Sequence, residues 1–157
     1  MVLETPNNYS VVVESRPSAI GEVCRQILSK LQGNSFSEDD IFAVHLALEE
    51  AFVNAVTHGN KMDPGKEVQI DYSVASDKIE IYITDQGEGF DPQQVPDPRV
   101  GENLYKPNGR GLLLINSYMD VVKFNERGNR VYLVRYKKKP ELKTDTINGM
   151  NRGANNK

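Results

Sequence analysis

Apolar residues recur at two spacings along the chain, every three or four positions in some stretches and every second position in others. The first spacing predicts helices with one buried face, and the second predicts half-buried strands. The predicted elements are a strand over 9–14, a helix from 17 that stops at 33, a helix over 37–58, strands over 68–74 and 79–83, a helix over 112–119, and strands over 121–124 and 131–136. Because the strands come in pairs, the pattern predicts an α+β, two-layer fold with helices on one face of a mixed, mostly antiparallel sheet.

The stretch from Asp85 to Gly111 lacks periodicity and contains five glycines and four prolines. Loops of this length are uncommon in compact domains and are typically lids or binding loops. Residues from Lys137 onward are polar, rich in asparagine and without aromatic side chains, which predicts a disordered tail. The predicted organisation is one folded domain over residues 1–136 followed by a polar tail over 137–157.

The net charge of the 157 residues is −3, and it is unevenly distributed. The tail has six basic and two acidic residues, a net charge of +4, which leaves −7 for residues 1–136. An acidic body argues against direct binding to nucleic acid, which requires a basic surface. No apolar run predicts a membrane span, and the single cysteine, Cys24, lies on a predicted buried helix face. The sequence therefore predicts a cytoplasmic protein with an unreactive thiol.

The second predicted helix carries the first group of candidate chemical residues. Glu50, Asn54 and His58 recur every four residues and share one face beside the apolar stripe. A solvated polar face is the ordinary explanation, but asparagine has poor helix propensity, which favours a function for Asn54. Glu49 lies about 100° from Glu50 around the helix and is expected to be a bystander. We expect His45 to pack within the helix layer.

Two glycine motifs flank the long loop. The segment Asp85-Gln86-Gly87-Glu88-Gly89-Phe90 follows a predicted strand, where its glycines let the backbone turn sharply and approach a ligand. Gly109-Arg110-Gly111 precedes a predicted helix, whose free N–H groups form an anion site. A plain strand-ending turn and an ordinary glycine-rich helix start are the alternatives. No complete G-x-G-x-x-G or G-x-x-x-x-G-K-[ST] motif occurs, which excludes Rossmann and P-loop sites.

In their joint order, these motifs resemble the nucleotide site of the superfamily of gyrase, heat-shock chaperone, histidine kinase and mismatch-repair ATPases. Three segments are similar to the bacterial anti-sigma factor serine/threonine kinases: LALEEAFVNAVTHGN at 46–60, ITDQGEGFD at 83–91 and GRGLLLI at 109–115. The resemblance extends over roughly residues 9–136 and implies the ATP-binding fold of that superfamily.

The resemblance implies roles for the helix residues. Asn54 is the expected Mg²⁺ ligand, which suits an ion that takes few protein oxygens and most of its other ligands from phosphates and water. Glu50 is the expected catalytic carboxylate, which accepts a proton from the attacking hydroxyl.

The resemblance also assigns the adenine and phosphate contacts. Asp85 is expected to accept a hydrogen bond from the adenine amino group, which favours adenine over guanine. Gly87 and Gly89 are expected to let the base approach, and residues 90–108 to form an ATP lid. The residues expected to bind the phosphates are Gly109, Arg110 and Gly111.

The function implied by the resemblance is an ATP- and Mg²⁺-dependent kinase that binds a sigma factor and phosphorylates a serine or threonine of an anti-anti-sigma antagonist protein. A homodimer is a further implied assembly. The alternative is an ATP-binding partner-switching module without kinase activity, because Gly128 is followed by Asn129 and Arg130, whereas the family often has Gly-Thr beside the adenine site. A third hypothesis is an ATPase domain that serves a larger machine.

Overall fold

The computed structural model describes residues 8–88 and 107–138 of the chain. Its elements are β1 (Asn8–Glu14), a 3₁₀ turn (Pro17–Ile20), α1 (Gly21–Gly33), α2 (Glu38–Asn54), a π-helical turn (Ala55–Gly59), β2 (Glu67–Val74), β3 (Lys78–Thr84), α3 (Pro107–Tyr118), β4 (Val121–Phe124) and β5 (Arg130–Tyr136). Every strand and helix expected from the periodicity is present in the predicted order.

The five strands form one sheet in the order β1-β2-β3-β5-β4, and each neighbouring pair is antiparallel. The predicted α+β fold is therefore confirmed, and all four pairings within the described residues are of the antiparallel kind. Strands β2 and β3 bury every second residue against the helices, as a sheet covered on one face must. Those buried positions are Val68, Ile70, Tyr72, Val74, Ile79, Ile81 and Ile83.

The helix α3 begins at Pro107, five residues earlier than the periodicity predicts. Proline suits the first turn of a helix because its φ angle is already helical and it has no N–H to leave unpaired. Gly109 and Gly111 therefore lie within the first two turns of α3. The sequence pattern predicts them just before the helix. The expected N-terminal anion site moves to the turn that begins at Pro107.

A buried ion pair joins the start of α2 to β5. The hydroxyl of Ser37 accepts a hydrogen bond from the Asp40 N–H at 3.0 Å, so Ser37 caps α2. The carboxylate of Asp40 is fully buried and forms an ion pair with Arg135, whose Nε lies 3.0 Å from Oδ1. Arg135 also donates to the carbonyl of Tyr118 at 2.7 Å, which ties the end of α3 to the same point.

The first two residues of the predicted tail are in contact with the folded body. The Lys137 N–H donates to the Asp77 carbonyl at 2.7 Å, and the Lys138 N–H donates to Asp40 Oδ2 at 3.2 Å. The rest of the predicted tail, residues 139–157, lies outside the described residues. Among the helices of residues 8–88 and 107–138, none is long and apolar enough to cross a membrane.

We expect Asp40→Ala to lower the free energy of unfolding by about 3 kcal/mol, because it leaves the guanidinium of Arg135 buried without its carboxylate. Asp39→Ala is the matched control, since Asp39 is the exposed neighbour in the same helical turn. Urea denaturation of the two variants measures the difference. Equal destabilisation by the two substitutions would show that the buried ion pair is not important for the fold.

Candidate functional site

The C-terminal end of α2 continues into a π-helical turn over Ala55–Gly59. The wider turn is closed by the Asn60 N–H, which donates to the Ala55 carbonyl at 2.8 Å. Lys61 and Met62 then leave the helix with φ angles of 52° and 59°, a left-handed conformation that costs side chains about 1 kcal/mol or more each. π-Turns and such backbone outliers occur frequently at functional sites.

The π-helical turn brings Gly59 into direct contact with the end of β3. A Cβ atom on Gly59 would overlap the carboxylate of Asp85, and a Cβ atom on Gly87 would overlap the carbonyl oxygen of Gly59. Neither Gly59 nor Gly87 has a left-handed φ angle. Each position needs glycine because the two backbones approach too closely to leave room for a side chain. The segment 85–87 is thereby held against the end of α2. We call this contact the Gly59–Asp85–Gly87 junction.

Asp85 is buried in this junction, with 8% of its surface exposed. Its N–H donates to the Asn129 carbonyl at 2.9 Å, and its Oδ1 accepts from the Gly87 N–H at 2.8 Å. The Oδ2 atom accepts no hydrogen bond from a described residue. Oδ2 is therefore the oxygen of this carboxylate that is not engaged within the described residues.

Burial raises the pKa of Asp85 above its ordinary value of 3.8. The Gly87 N–H and the positive charges of Lys66 and Arg127 oppose this shift. Arg127 also donates to the Gly87 carbonyl at 3.4 Å, so a cation lies beside the end of β3. The result is a desolvated carboxylate with one oxygen fixed by the backbone and one oxygen available as a hydrogen-bond acceptor.

Asn60, two residues beyond the predicted helix over 37–58, holds the junction together. Its side chain is completely buried. Its Nδ2 donates to Ser15 Oγ and to the Glu67 carbonyl, each at 3.0 Å, and its Oδ1 accepts from the Gln86 N–H at 2.7 Å. One amide therefore connects the end of β1, the start of β2 and the end of β3. Its position directly after a glycine that ends an apolar helix was the signal available in the sequence.

Asn129 also contacts the segment that carries Asp85, from the position immediately before β5. Its side-chain amide donates to the Asp85 carbonyl at 3.3 Å and accepts from Asn125 at 2.8 Å. Gly128 precedes it with a φ angle of 79°, which this hairpin turn requires. The residue found where the family often has threonine is therefore in contact with the segment that carries Asp85.

The structure separates the two adjacent carboxylates of α2. Glu49 Oε1 lies 2.8 Å from His45 Nε2, so Glu49 is engaged with its own helix. His45 is partly exposed and forms this pair, where we had expected it to pack in the helix layer. Glu50 and Asn54 are half-buried and make no side-chain hydrogen bond within residues 8–88 and 113–138. Asn54 is the last residue of α2, immediately before the π-helical turn that reaches Asp85.

The start of α3 is directed toward the same end of α2. The ring of Tyr118, the last residue of α3, packs edge-on against Phe42 near the start of α2, with 6.2 Å between centroids. Since α3 packs along α2, the two helices run in opposite directions. The first turn of α3 contains the backbone of Gly109 and Arg110, and Gly111 begins the second turn. Gly89 lies outside the described residues.

The oxygen donors on α2 are suited to a magnesium ion. Mg²⁺ prefers oxygen ligands and takes only one or two from the protein when it is bound with a nucleotide. Asn54 offers an amide oxygen and Glu50, one turn earlier, offers a carboxylate, and neither is engaged with a described side chain. Asn54 is therefore the residue whose chemistry fits the ion.

Comparison with known proteins identifies the family of this chain. Residues 13–135 match the model of the histidine kinase-like ATPase domain. The chain belongs to this family. It is 31% identical over 150 residues to the serine-protein kinase RsbW of Oceanobacillus iheyensis, which covers 88% of this chain and 94% of the relative. The serine-protein kinase RsbW of Bacillus licheniformis is 34% identical over 119 residues, covering 69% and 72% of the two chains.

The fold has a counterpart among solved structures. The crystal structure of the RsbU and RsbW domains of a Mycobacterium tuberculosis protein matches with a TM-score of 0.56 at 16% identity. The match covers 86% of this chain and 34% of that longer chain. The resemblance to the anti-sigma kinase branch and the fold that it implied are thus confirmed, whereas the roles of the individual site residues stay predictions.

We expect Gly87→Ala to abolish ATP binding, because the added methyl group forces the Gly59–Asp85–Gly87 junction apart. Gly21→Ala is the matched control, since no atom lies within 4 Å of the added Cβ and the residue begins a helix, so it should stabilise the fold by up to about 1 kcal/mol. Equilibrium dialysis with labelled ATP measures binding in both variants. Normal ATP binding by Gly87→Ala would contradict a site that depends on this close contact.

Proposed function

We propose that this protein is an ATP-dependent serine/threonine kinase of the anti-sigma type, which binds a sigma factor and phosphorylates a serine or threonine of an antagonist protein. The observation that carries the proposal is the Gly59–Asp85–Gly87 junction, which places a buried acceptor carboxylate at the end of the helix that bears Glu50 and Asn54. The relatives named serine-protein kinase RsbW support the reaction.

Asp85 selects the base in this proposal. Its second oxygen, Oδ2, accepts a hydrogen bond from the exocyclic amino group of adenine, while Oδ1 remains bound to the Gly87 N–H. Guanine presents a carbonyl oxygen at the corresponding position, and two acceptors facing each other in a desolvated site repel. The site therefore favours ATP over GTP.

Local groups bind the phosphates despite the net charge of −7 on residues 1–136. The free N–H groups in the first turn of α3 and the positive end of that helix face the phosphates. Asn54 would hold Mg²⁺ through its amide oxygen, and the bound ion would supply positive charge to offset that of the phosphate oxygens. Arg110 adds a positive charge at the start of the same helix.

Glu50 acts as the general base. The partner protein presents its serine or threonine hydroxyl, the carboxylate of Glu50 accepts the hydroxyl proton, and the hydroxyl oxygen bonds to the γ-phosphorus as the bond to the β-phosphate oxygen breaks. The products are a phosphorylated partner and ADP. Presentation by a docked protein suits a chain whose described residues form one small domain.

We expect Asp85→Asn to abolish ATP binding without lowering the stability of the folded protein. Because the folded pKa of Asp85 lies above the unfolded value, its ionised form opposes folding at neutral pH, and this cost fades as the pH falls through the folded pKa. Asparagine removes the charge and keeps an acceptor for the Gly87 N–H. The nucleotide-free variant should therefore melt at the same temperature as the wild type or higher, while its melting temperature no longer rises with ATP and Mg²⁺.

Asp77→Asn, in the exposed turn between β2 and β3, is the control and should retain the rise with ATP. An Asp85→Asn variant that melts earlier but keeps the full rise would assign Asp85 a structural role only.

We expect Glu50→Gln to bind ATP with unchanged affinity and to transfer phosphate at least a hundredfold more slowly, because general-base catalysis contributes about 10²- to 10⁴-fold. Transfer of the labelled γ-phosphate to an antagonist protein is the measurement. Glu38→Gln, in the first turn of the same helix, is the control. Undiminished transfer by Glu50→Gln would remove its role as base. ATP-dependent binding of the partner without transfer by the wild type would favour the switching module.

A further inference from the structure

A cluster of three potential metal ligands lies between α1 and α2. The Sγ of Cys24, a ring nitrogen of His45 and a carboxylate oxygen of Glu49 all lie within 4.8 Å of one another. His45 and Glu49 are one turn apart on α2, and Cys24 is contributed by α1. The cluster is separate from the proposed ATP site, because Glu50 and Asn54 lie on another face of α2.

The cluster has a buried side and an open side. Cys24 is 5% exposed, whereas the side chains of His45 and Glu49 are 42% and 47% exposed. An ion can therefore enter from solvent and retain a water molecule as an additional ligand. Three protein ligands with a water molecule in the fourth position are also the coordination found in open zinc sites.

The donor set selects the class of metal. A thiolate, an imidazole and a carboxylate together suit a borderline-soft divalent ion such as Zn²⁺, whereas Mg²⁺ and Ca²⁺ require oxygen ligands. Bonds of about 2.0–2.3 Å in a tetrahedral site place ligand atoms roughly 3.3–3.8 Å apart. Rotations of the exposed His45 and Glu49 side chains, which are not fixed by core packing, can widen their 2.8 Å contact and bring both toward the Sγ of Cys24.

A thiol function without metal is disfavoured for Cys24. Burial and the negative charge of Glu49 raise the pKa of this thiol to about 12, so it is neutral and a poor nucleophile at physiological pH. This result also agrees with the unreactive thiol expected from the sequence.

We propose that Cys24, His45 and Glu49 form a Zn²⁺ site that links α1 to α2. On binding, the sulfur exchanges its proton for the metal, the proton is released to solvent, and His45 and Glu49 exchange their mutual hydrogen bond for bonds to the ion. No oxidant or reductant takes part. The site requires neither ATP nor a partner protein, so its test is independent of the proposed kinase function.

The test is titration of the untagged, full-length, nucleotide-free protein with Co²⁺ as a spectroscopic probe, followed by displacement with Zn²⁺. We expect one ion per chain, a charge-transfer absorption that reports a cobalt–thiolate bond, and a higher melting temperature with Zn²⁺. Cys24→Ser should abolish the absorption. His45→Gln and Glu49→Gln should each weaken binding at least tenfold, because even the loss of an outer-shell partner costs ten- to a hundredfold.

His58→Gln is the matched control, since His58 is the only other histidine in the chain, and it should bind the metal as the wild type does. Melting of each metal-free variant verifies that it is folded, and Cys24→Ala provides a second cysteine variant if serine is not tolerated in the buried position. Absence of the thiolate absorption in the wild type, or unchanged Zn²⁺ affinity in folded Cys24→Ser or Cys24→Ala, would overturn the proposal.

Discussion

The close approach of the end of α2 to the end of β3 is the constraint on which the site depends. At the Gly59–Asp85–Gly87 junction the two backbones meet with no room for a Cβ atom. The π-helical turn directs Gly59 toward the strand. The buried side-chain amide of Asn60 then forms hydrogen bonds with residues at the ends of three strands. A side chain at either glycine would separate the helix bearing Glu50 and Asn54 from the strand bearing Asp85. The contact that holds the helix to the strand therefore also sets the relative positions of the proposed site residues.

This arrangement also explains how an acidic protein can bind a polyanion. The net charge of residues 1–136 repels ATP at long range, so binding must come from short-range groups at one place. In the proposed site, these groups are the N–H groups in the first turn of α3, Arg127 beside the end of β3 and an Mg²⁺ ion that Asn54 would hold. Because burial raises the pKa of Asp85, we expect its ionised form to reduce stability in the absence of ligand, and in the proposed site this is the cost of a preformed acceptor for the base.

Much of the fold could be predicted because periodicity and turn signals are local. The alternation in β2 and β3 and the capping by Ser37 are visible within a few residues. The start of α3 was missed because its two glycines suggested a loop, whereas Pro107 already begins the helix. Within the site, the joint order of three motifs was sufficient to identify the family.

Contacts between distant segments could not be predicted in the same way. The hydrogen bond from Asn129 to Asp85 joins residues 44 positions apart, and no periodicity reports it. The role of Asn60 depends on its complete burial, which a polar residue at a helix end does not suggest. His45 and Glu49 meet Cys24 only because α1 and α2 pack together, so the sequence showed an isolated cysteine and a bystander carboxylate.

Helix α2 connects these features, since its C-terminal end bears Glu50 and Asn54 of the proposed nucleotide site and its other face bears His45 and Glu49 of the cysteine–histidine–carboxylate cluster. The central claim is that Asp85 makes the Gly59–Asp85–Gly87 junction a site for adenine nucleotides. Isothermal titration calorimetry of the wild-type protein with ATP and with GTP, each with Mg²⁺, tests it most directly. We expect one ATP per chain and at least tenfold weaker binding of GTP, a difference of about 1.4 kcal/mol or more. Equal affinities, or no binding of ATP, would contradict the claim.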